Sequence, residues 1–308
     1  MFVKDPPAKI TDNLWMLGTN EYPLYLVQRG DEAAVFEGGV GAMGPLVLEQ
    51  IQELGIGRDR LRQVIVPHAH PDHVMAVPRL REALPAVAVL ASKTAAGTLS
   101  AEKAISFFTQ IDETLTASLL KMGRIAERHR PQPLAEMKIA VDRVIGEGDE
   151  ITVDGLSFRV LQTPGHSDCS LSFHEADRRI LFASDAAGYY MPEHDSWWPD
   201  YFTGYGTYLA SLQRLAALEA EILCLGHHGA VRGAEAVKSH LGRAIAATRQ
   251  YHGWIVAEAG SGKSVRQIAE QLGAEVYEKI PLLPREFFQK NCGLLVKQSL
   301  VHEGISIE

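Results

Sequence analysis

Pro67-His68-Ala69-His70-Pro71-Asp72-His73 sets four potential metal ligands within six residues, directly after the apolar run Val64-Ile65-Val66. Neutral imidazole nitrogens and carboxylate oxygens suit zinc, iron or manganese, and a turn leaving a strand can aim several of them at one point. Three further turns offer the same donor types, each after a run that reads as a strand: Thr163-Pro164-Gly165-His166, Ser184-Asp185 and Gly226-His227-His228-Gly229. Taken alone, His166 or Asp185 reads as a capping or hydrogen-bonding residue; as a series they read as the remainder of one site. His174, His194, His240 and His252 have no such context and read as structural or surface residues. Asp168 reads as a turn residue before an orienting partner for a ligand, and Cys169 as a buried side chain.

These donors need a scaffold that ends several strands at one place. Leu14 to Leu17, Tyr22 to Gln28 and Ala33 to Glu37 read as strands closed by Gly38-Gly39, and Leu46, Ile51 and Leu54 as a helix ended by Gly55. The histidine motif then lies on a β-to-α loop, with a helix around Leu80 and Leu84 and a strand from Val87 to Leu90 after it. From Thr94 to about Met137 the spacing of Ala104, Phe108, Ile111, Leu115, Leu119 and Met122 predicts a long amphipathic helix, either packed on the main domain or capping the metal cleft with Phe107 or Phe108. A second β series follows: Ile151 to Val153, a turn at Asp154-Gly155, Ser157 to Gln162, Ser170 to Phe173 and Arg179 to Ala183. Tyr208 to Leu218 and Ala234 to Tyr251 read as helices around a strand at Ile222 to Leu225, and beyond Gly260 the pattern is wholly helical.

Composition bounds what such a site serves. With 308 residues and 46% hydrophobic content the chain can bury a full core. A net charge of −8 argues against gripping nucleic acid or an anionic membrane by bulk electrostatics. No apolar stretch reaches bilayer length, the first residues lack signal-peptide character, and three scattered cysteines indicate no disulfide framework, so the cytoplasm is expected.

The order His-x-His-x-Asp-His, Pro-Gly-His, Ser-Asp after a strand, and a final Gly-His turn resembles the metallo-β-lactamase superfamily over roughly residues 10 to 232. The resemblance implies an α/β (α+β) fold, the αββα sandwich, with two divalent metal ions at the sheet edges. Zinc is the foremost candidate, with iron or manganese as alternatives. It also implies that His68, His70 and His166 hold one metal, that Asp72, His73 and His227 hold the other, and that Asp185 bridges them. His227 rather than His228 takes the ligand role in that alignment. The domain expected at residues 1–255 carries a helical cap at about 94–137, and residues 256–308 resemble the small, winged-helix-like helical appendage of some family hydrolases, with packing or homodimerisation as its expected role.

Two metals with His and Asp donors, and no glycine fingerprint for a nucleotide cofactor, favour hydrolysis by a metal-bridging hydroxide, with Asp72 and Asp185 as the catalytic carboxylates. His70 stands where flavodiiron oxygen reductases of the superfamily carry Glu, which disfavours redox chemistry. Tyr189, Tyr190, Trp197, Trp198, Tyr201, Phe202 and Tyr205 either wall an apolar pocket or pack their loop onto the domain. The cap placement, Gly165-His166-Ser167-Asp168 and Arg232-Gly233 are similar to a quinolone-signal response thioesterase of the superfamily. On that resemblance a small-molecule thioester, such as an acyl-CoA, is the expected substrate. The alternatives are a phosphodiesterase or nuclease of the same superfamily, and a regulatory metal-binding protein with little turnover.

Overall fold

A computed structural model describes residues 1–306. Two seven-stranded sheets lie face to face. The first is built from β2 (Ala8–Lys9), β3 (Leu14–Gly18), β4 (Pro23–Arg29), β5 (Glu32–Phe36), β6 (Leu61–Ile65), β7 (Ala88–Ala91) and β8 (Arg143–Val144), in that order. The second runs β1 (Phe2–Val3), β16 (Ala230–Arg232), β15 (Ile222–Leu225), β12 (Ile180–Ser184), β11 (Leu171–Glu175), β10 (Leu156–Gln162) and β9 (Glu150–Val153). The expected Asp154-Gly155 turn joins β9 to β10, with both residues at positive φ as a two-residue hairpin of this kind requires.

Aromatic side chains from both sheets fill the space between them. Phe36 and Phe182 stack at 4.2 Å, and Phe158, Phe173 and Tyr25 close around them. All five residues of β12 are buried, as befits a strand with a packed layer on each face. On the outer face of the first sheet lie α1 (Met43–Glu53), α2 (Val77–Ala83), α3 (Lys93–Leu99) and α4 (Glu102–Lys121). On the outer face of the second lie α5 (Tyr205–Ala216), α6 (Ala234–Gly260), α7 (Val265–Lys279) and α8 (Arg285–His302). The architecture is the αββα sandwich. A two-stranded ribbon, β13 (Tyr189–Met191) with β14 (Ser196–Trp198), leaves the second sheet after β12.

The helices give the expected cap and C-terminal appendage their bounds. The long helix of the cap is shorter than 94–137: Ser92 caps α3, Gly123 at φ +68 lies just past the end of α4, and residues 122–142 return to the sheet with only one 3-10 turn. The boundary expected after residue 255 falls inside α6, whose apolar face continues through Ile255 into the core shared with α7 and α8. From residue 256 the described residues are helical, with no strand beside them.

Candidate metal centre

Strands β6, β10, β12 and β15 end on the same side of the sandwich, and each hands the chain to a loop carrying one of the four motifs. The turn after β6 brings His68, His70, Asp72 and His73 in quick succession, with Pro71 opening a single 3-10 turn over 71–73. β12 runs parallel to β15, so Asp185 and Gly226-His227 emerge side by side. Gly226 allows that proximity: a Cβ there would stand 2.2 Å from Asp185 Oδ1. Glu37, Ser184 and His228, next to these loops or within them, all have positive φ. Non-glycine residues keep such a conformation only where the surroundings over-determine it.

The structure brings all seven expected residues together in two groups, His68, His70, His166 and Asp185, and Asp72, His73 and His227, with the donor atoms of each within 4.8 Å of one another. Asp185 touches both. Its Oδ2 lies 3.5 Å from His68 Nε2, 3.3 Å from His166 Nε2 and 3.2 Å from His73 Nε2, and its Oδ1 lies 3.5 Å from His227 Nε2. Asp72 Oδ2 is 3.6 Å from both His73 Nε2 and His227 Nε2, and it is the more open carboxylate of the two.

The donor set suits divalent cations. His166 Nε2 lies 2.8 Å from His70 Nδ1 and 3.2 Å from His68 Nε2, and buried His73 Nε2 and Asp185 Oδ1 lack hydrogen-bond partners. A proton can serve only one pair of such lone pairs, whereas a cation serves them all. Burial drives His68 well below its ordinary range and His70 to about 3, so both stand neutral, the state in which imidazole binds a metal. Burial pushes Asp185 upward, but the imidazoles of His73, His227 and His166 outweigh it and hold the carboxylate well below its usual range.

The far nitrogens of three imidazoles are also fixed. His73 Nδ1 donates to Glu37 Oε2 at 2.7 Å, His166 Nδ1 lies 3.0 Å from the Asp200 carbonyl and 3.1 Å from Asp200 Oδ2, and His227 Nδ1 donates to the Glu21 carbonyl at 2.8 Å. Each acceptor keeps a proton on Nδ1, so Nε2 is the nitrogen turned to the cluster; burial pulls these three imidazoles down, but the carboxylates around them outweigh it and raise all three, a positive charge that a bound cation would replace. Glu37 and Asp200, which contact two of the candidate ligands, are residues that sequence reasoning missed. Glu37 has a signal, a lone acid closing a strand before Gly38-Gly39; Asp200, inside the aromatic run, has none.

His228 turns away from the cluster, its Nε2 3.0 Å from the Tyr189 hydroxyl. Asp168 is exposed on a turn, and Cys169 is buried with its Sγ accepting from the Ala69 amide at 3.3 Å. His174, His194, His240 and His252 lie outside both groups.

Above the cluster opens a cleft of about 400 Å³. Its floor holds His70, Asp72, His166, Asp185 and His227; its walls include Phe107 and Phe108 from α4, and Tyr189, Trp198 and Phe202 from the stretch after Asp185. The other aromatics of that stretch pack inward or outward: Tyr201 and Tyr205 against α8 and α6, Tyr190 and Trp197 against His240.

Residues 23–227, more than half of the chain, match the family model of the metallo-beta-lactamase superfamily. The hydroxyacylglutathione hydrolase of Cereibacter sphaeroides is 28% identical over 127 residues, 41% of this chain and 34% of that protein. That of Xylella fastidiosa is 41% identical over 85 residues, 27% of this chain and 30% of that protein. The chain spans about a third of the length of these curated relatives. Among solved structures, a metallo-beta-lactamase family protein from Thermus thermophilus is 21% identical with a TM-score of 0.62, over 96% of this chain and 95% of that one. The metallo-beta-lactamase MIM-1 from Novosphingobium pentaromativorans is 23% identical with a TM-score of 0.57, over 84% and 93%. At these identities the structural likeness speaks for the fold, and the family match, with its motifs gathered at one sheet edge, says the rest: the chain belongs to the metallo-β-lactamase superfamily.

Proposed function

We propose that this protein is a dinuclear metal-dependent hydrolase of acyl compounds, thioesters foremost. The observation that carries the reading is Asp185, whose two oxygens face both donor groups at the floor of an apolar-walled cleft. His68, His70 and His166 would hold one cation and Asp72, His73 and His227 the other. Bound there, two divalent cations supply a water activated near neutral pH and a positive field for the oxygen that gains charge.

The chain's own groups do the remainder. Glu37, Asp200 and the Glu21 carbonyl orient the imidazoles, and the walls exclude bulk water from the acyl carbon. Asp72, open to the cleft, takes the proton of the attacking water at the carboxylate oxygen turned away from His73 and His227, and returns it to the leaving sulfur. Water thus adds to the carbonyl carbon, the carbon–sulfur bond breaks, and an acid and a thiol leave. The likeness to hydroxyacylglutathione hydrolases supports a thioester bond as the one broken. A phosphodiester is disfavoured because no Lys or Arg lines the cleft among the described residues.

The test is turnover by metal-replete protein of an acyl thioester panel, a β-lactam reporter and a bis-phosphodiester reporter. Thioester hydrolysis that exceeds both others, and that is lost in His68→Ala and Asp185→Asn, supports the reading. Full activity in both variants, or a preference for either other reporter, overturns it.

A further inference from the structure

The sequence suggests packing or dimerisation for the C-terminal helices, yet these helices form the roof of the cleft. Ile280, Leu282 and Leu283, in the connection between α7 and α8, and Phe287, Phe288 and Leu294 of α8 line it. They face Phe107, Phe108, Ile111 and Leu115 of α4, nearly two hundred positions earlier in the chain. Asn291 is the one polar side chain that α8 adds to the lining.

This roof is fastened on both sides. Ser118 Oγ of α4 donates to the Leu282 carbonyl at 2.7 Å. On the other wall the Tyr201 hydroxyl and Ser299 Oγ, both buried, are 2.8 Å apart, and Gln298 Nε2 donates to the Phe202 carbonyl at 3.1 Å. Phe107, 54% exposed, and Leu294, 38% exposed, continue this apolar lining out to solvent.

We propose that the α7–α8 hairpin is the acyl-specificity element of this site: with α4 it encloses an uncharged, apolar acyl group and leaves the charged carrier outside. The inference rests on the thioester reading for the place of the carbonyl, at the metal floor. It goes beyond that reading in naming which half of the substrate is enclosed. A carrier with phosphates or carboxylates would meet no Lys or Arg in the lining, so burying it there would strand its charges. An alkyl or aryl acyl group meets apolar walls, and the volume suits a substrate of modest size.

Two measurements on the metal-replete protein test this. Calorimetric titration with decanoate and with acetate compares acids that share a carboxylate and differ in the tail; decanoate should bind roughly 10-fold tighter or more. Turnover of decanoyl and acetyl thioesters on one carrier, beside a hydroxyacylglutathione, should favour the decanoyl compound. Phe107→Asp and Leu294→Asp, at partly exposed positions, should lower the decanoyl-to-acetyl ratio about 10-fold, and Phe107→Leu and Leu294→Met should restore it. Binding independent of chain length, or Asp variants that leave the ratio unchanged, overturns the proposal. Hydrolysis without chain preference sinks the inference and leaves the thioester reading standing. Chain-dependent decanoate binding, abolished by the Asp variants, in a protein that turns over no thioester does the reverse.

Discussion

The floor of the cleft and its roof come from the chain in different ways. Four of the seven ligands lie within six residues after a strand of the first sheet, and the others follow strands of the second at 166, 185 and 227, so strand pairing and the stacking of the two sheets bring them together. They are polar and, apart from His70 and Asp72, almost fully buried, and three of them are held through a second atom by Glu37, Asp200 or the Glu21 carbonyl. The roof is assembled from α4 and α8, which belong to opposite faces of the sandwich, and it is apolar, partly exposed and fastened by a few hydrogen bonds. A chemistry that depends on sub-ångström ligand placement thus stands on strand ends, while selectivity, which tolerates looser geometry, stands on helices.

Damage to the floor should therefore cost activity out of proportion to stability. Removing His68 or Asp185 should cut hydrolysis by about 10²–10³-fold and lower bound metal, since charge stabilisation of several kcal/mol is lost; elemental analysis beside initial rates reads both. One step out, Glu37→Gln and Asp200→Asn should weaken metal affinity or activity by roughly 10–100-fold, which competition with a chelator measures. Near-native affinity in both would mean that the orienting atoms are dispensable and the floor is less tightly determined than its geometry indicates.

The roof should answer in stability. Ser299→Ala leaves the buried Tyr201 hydroxyl without its partner, a cost of about 1–3 kcal/mol in denaturant unfolding. The smallest effect concerns Asp112, which anchors α4 beside the metal loops by accepting the Gly41 amide at 2.6 Å. Burial raises its carboxyl from 3.8 to about 7, against the pull of that amide and Arg79 and with help from Glu113 and Asp72. A folded-state value above the unfolded one means that the protonated form is favoured on folding. Asp112's contribution is therefore full below pH 3.8 and is lost as pH rises through about 7. Asp112→Asn should flatten the decline of Tm between about pH 4 and 7 by roughly 2–4 °C or less. An unchanged slope would show that the buried carboxyl is not what makes cap docking sensitive to pH.

The floor was legible in the sequence because metal ligands must be particular residue types at particular offsets from strand ends. The order of motifs therefore pointed to all seven residues that the structure gathers. Strands announced themselves in the same way: the alternation around Asp154-Gly155 predicts the β9–β10 hairpin that the chain makes. The roof was half legible: a cap over the cleft with Phe107 or Phe108 was one of two readings of α4, whereas Leu283 or Phe288 reads identically whether it packs a core or lines a cleft, and the choice is made by long-range contact. Asp200 was hidden for a related reason. It meets His166 across 34 positions through a loop with no periodicity, and an acid between aromatic residues advertises nothing.

Helix α6 has 27 residues, a rod of about 40 Å, and runs without a break from the last sheet strand to the first turn of the roof hairpin. Continuous helix resists bending, so the distance between the end of β16 and the base of the hairpin is set in the manner of a ruler, by a count of residues. Inserting or deleting one residue within α6 would rotate the hairpin by about 100° about the helix axis as well as shift it. Chain length along α6 thus bears in discrete steps on where the roof hairpin starts, although no α6 residue lines the cleft.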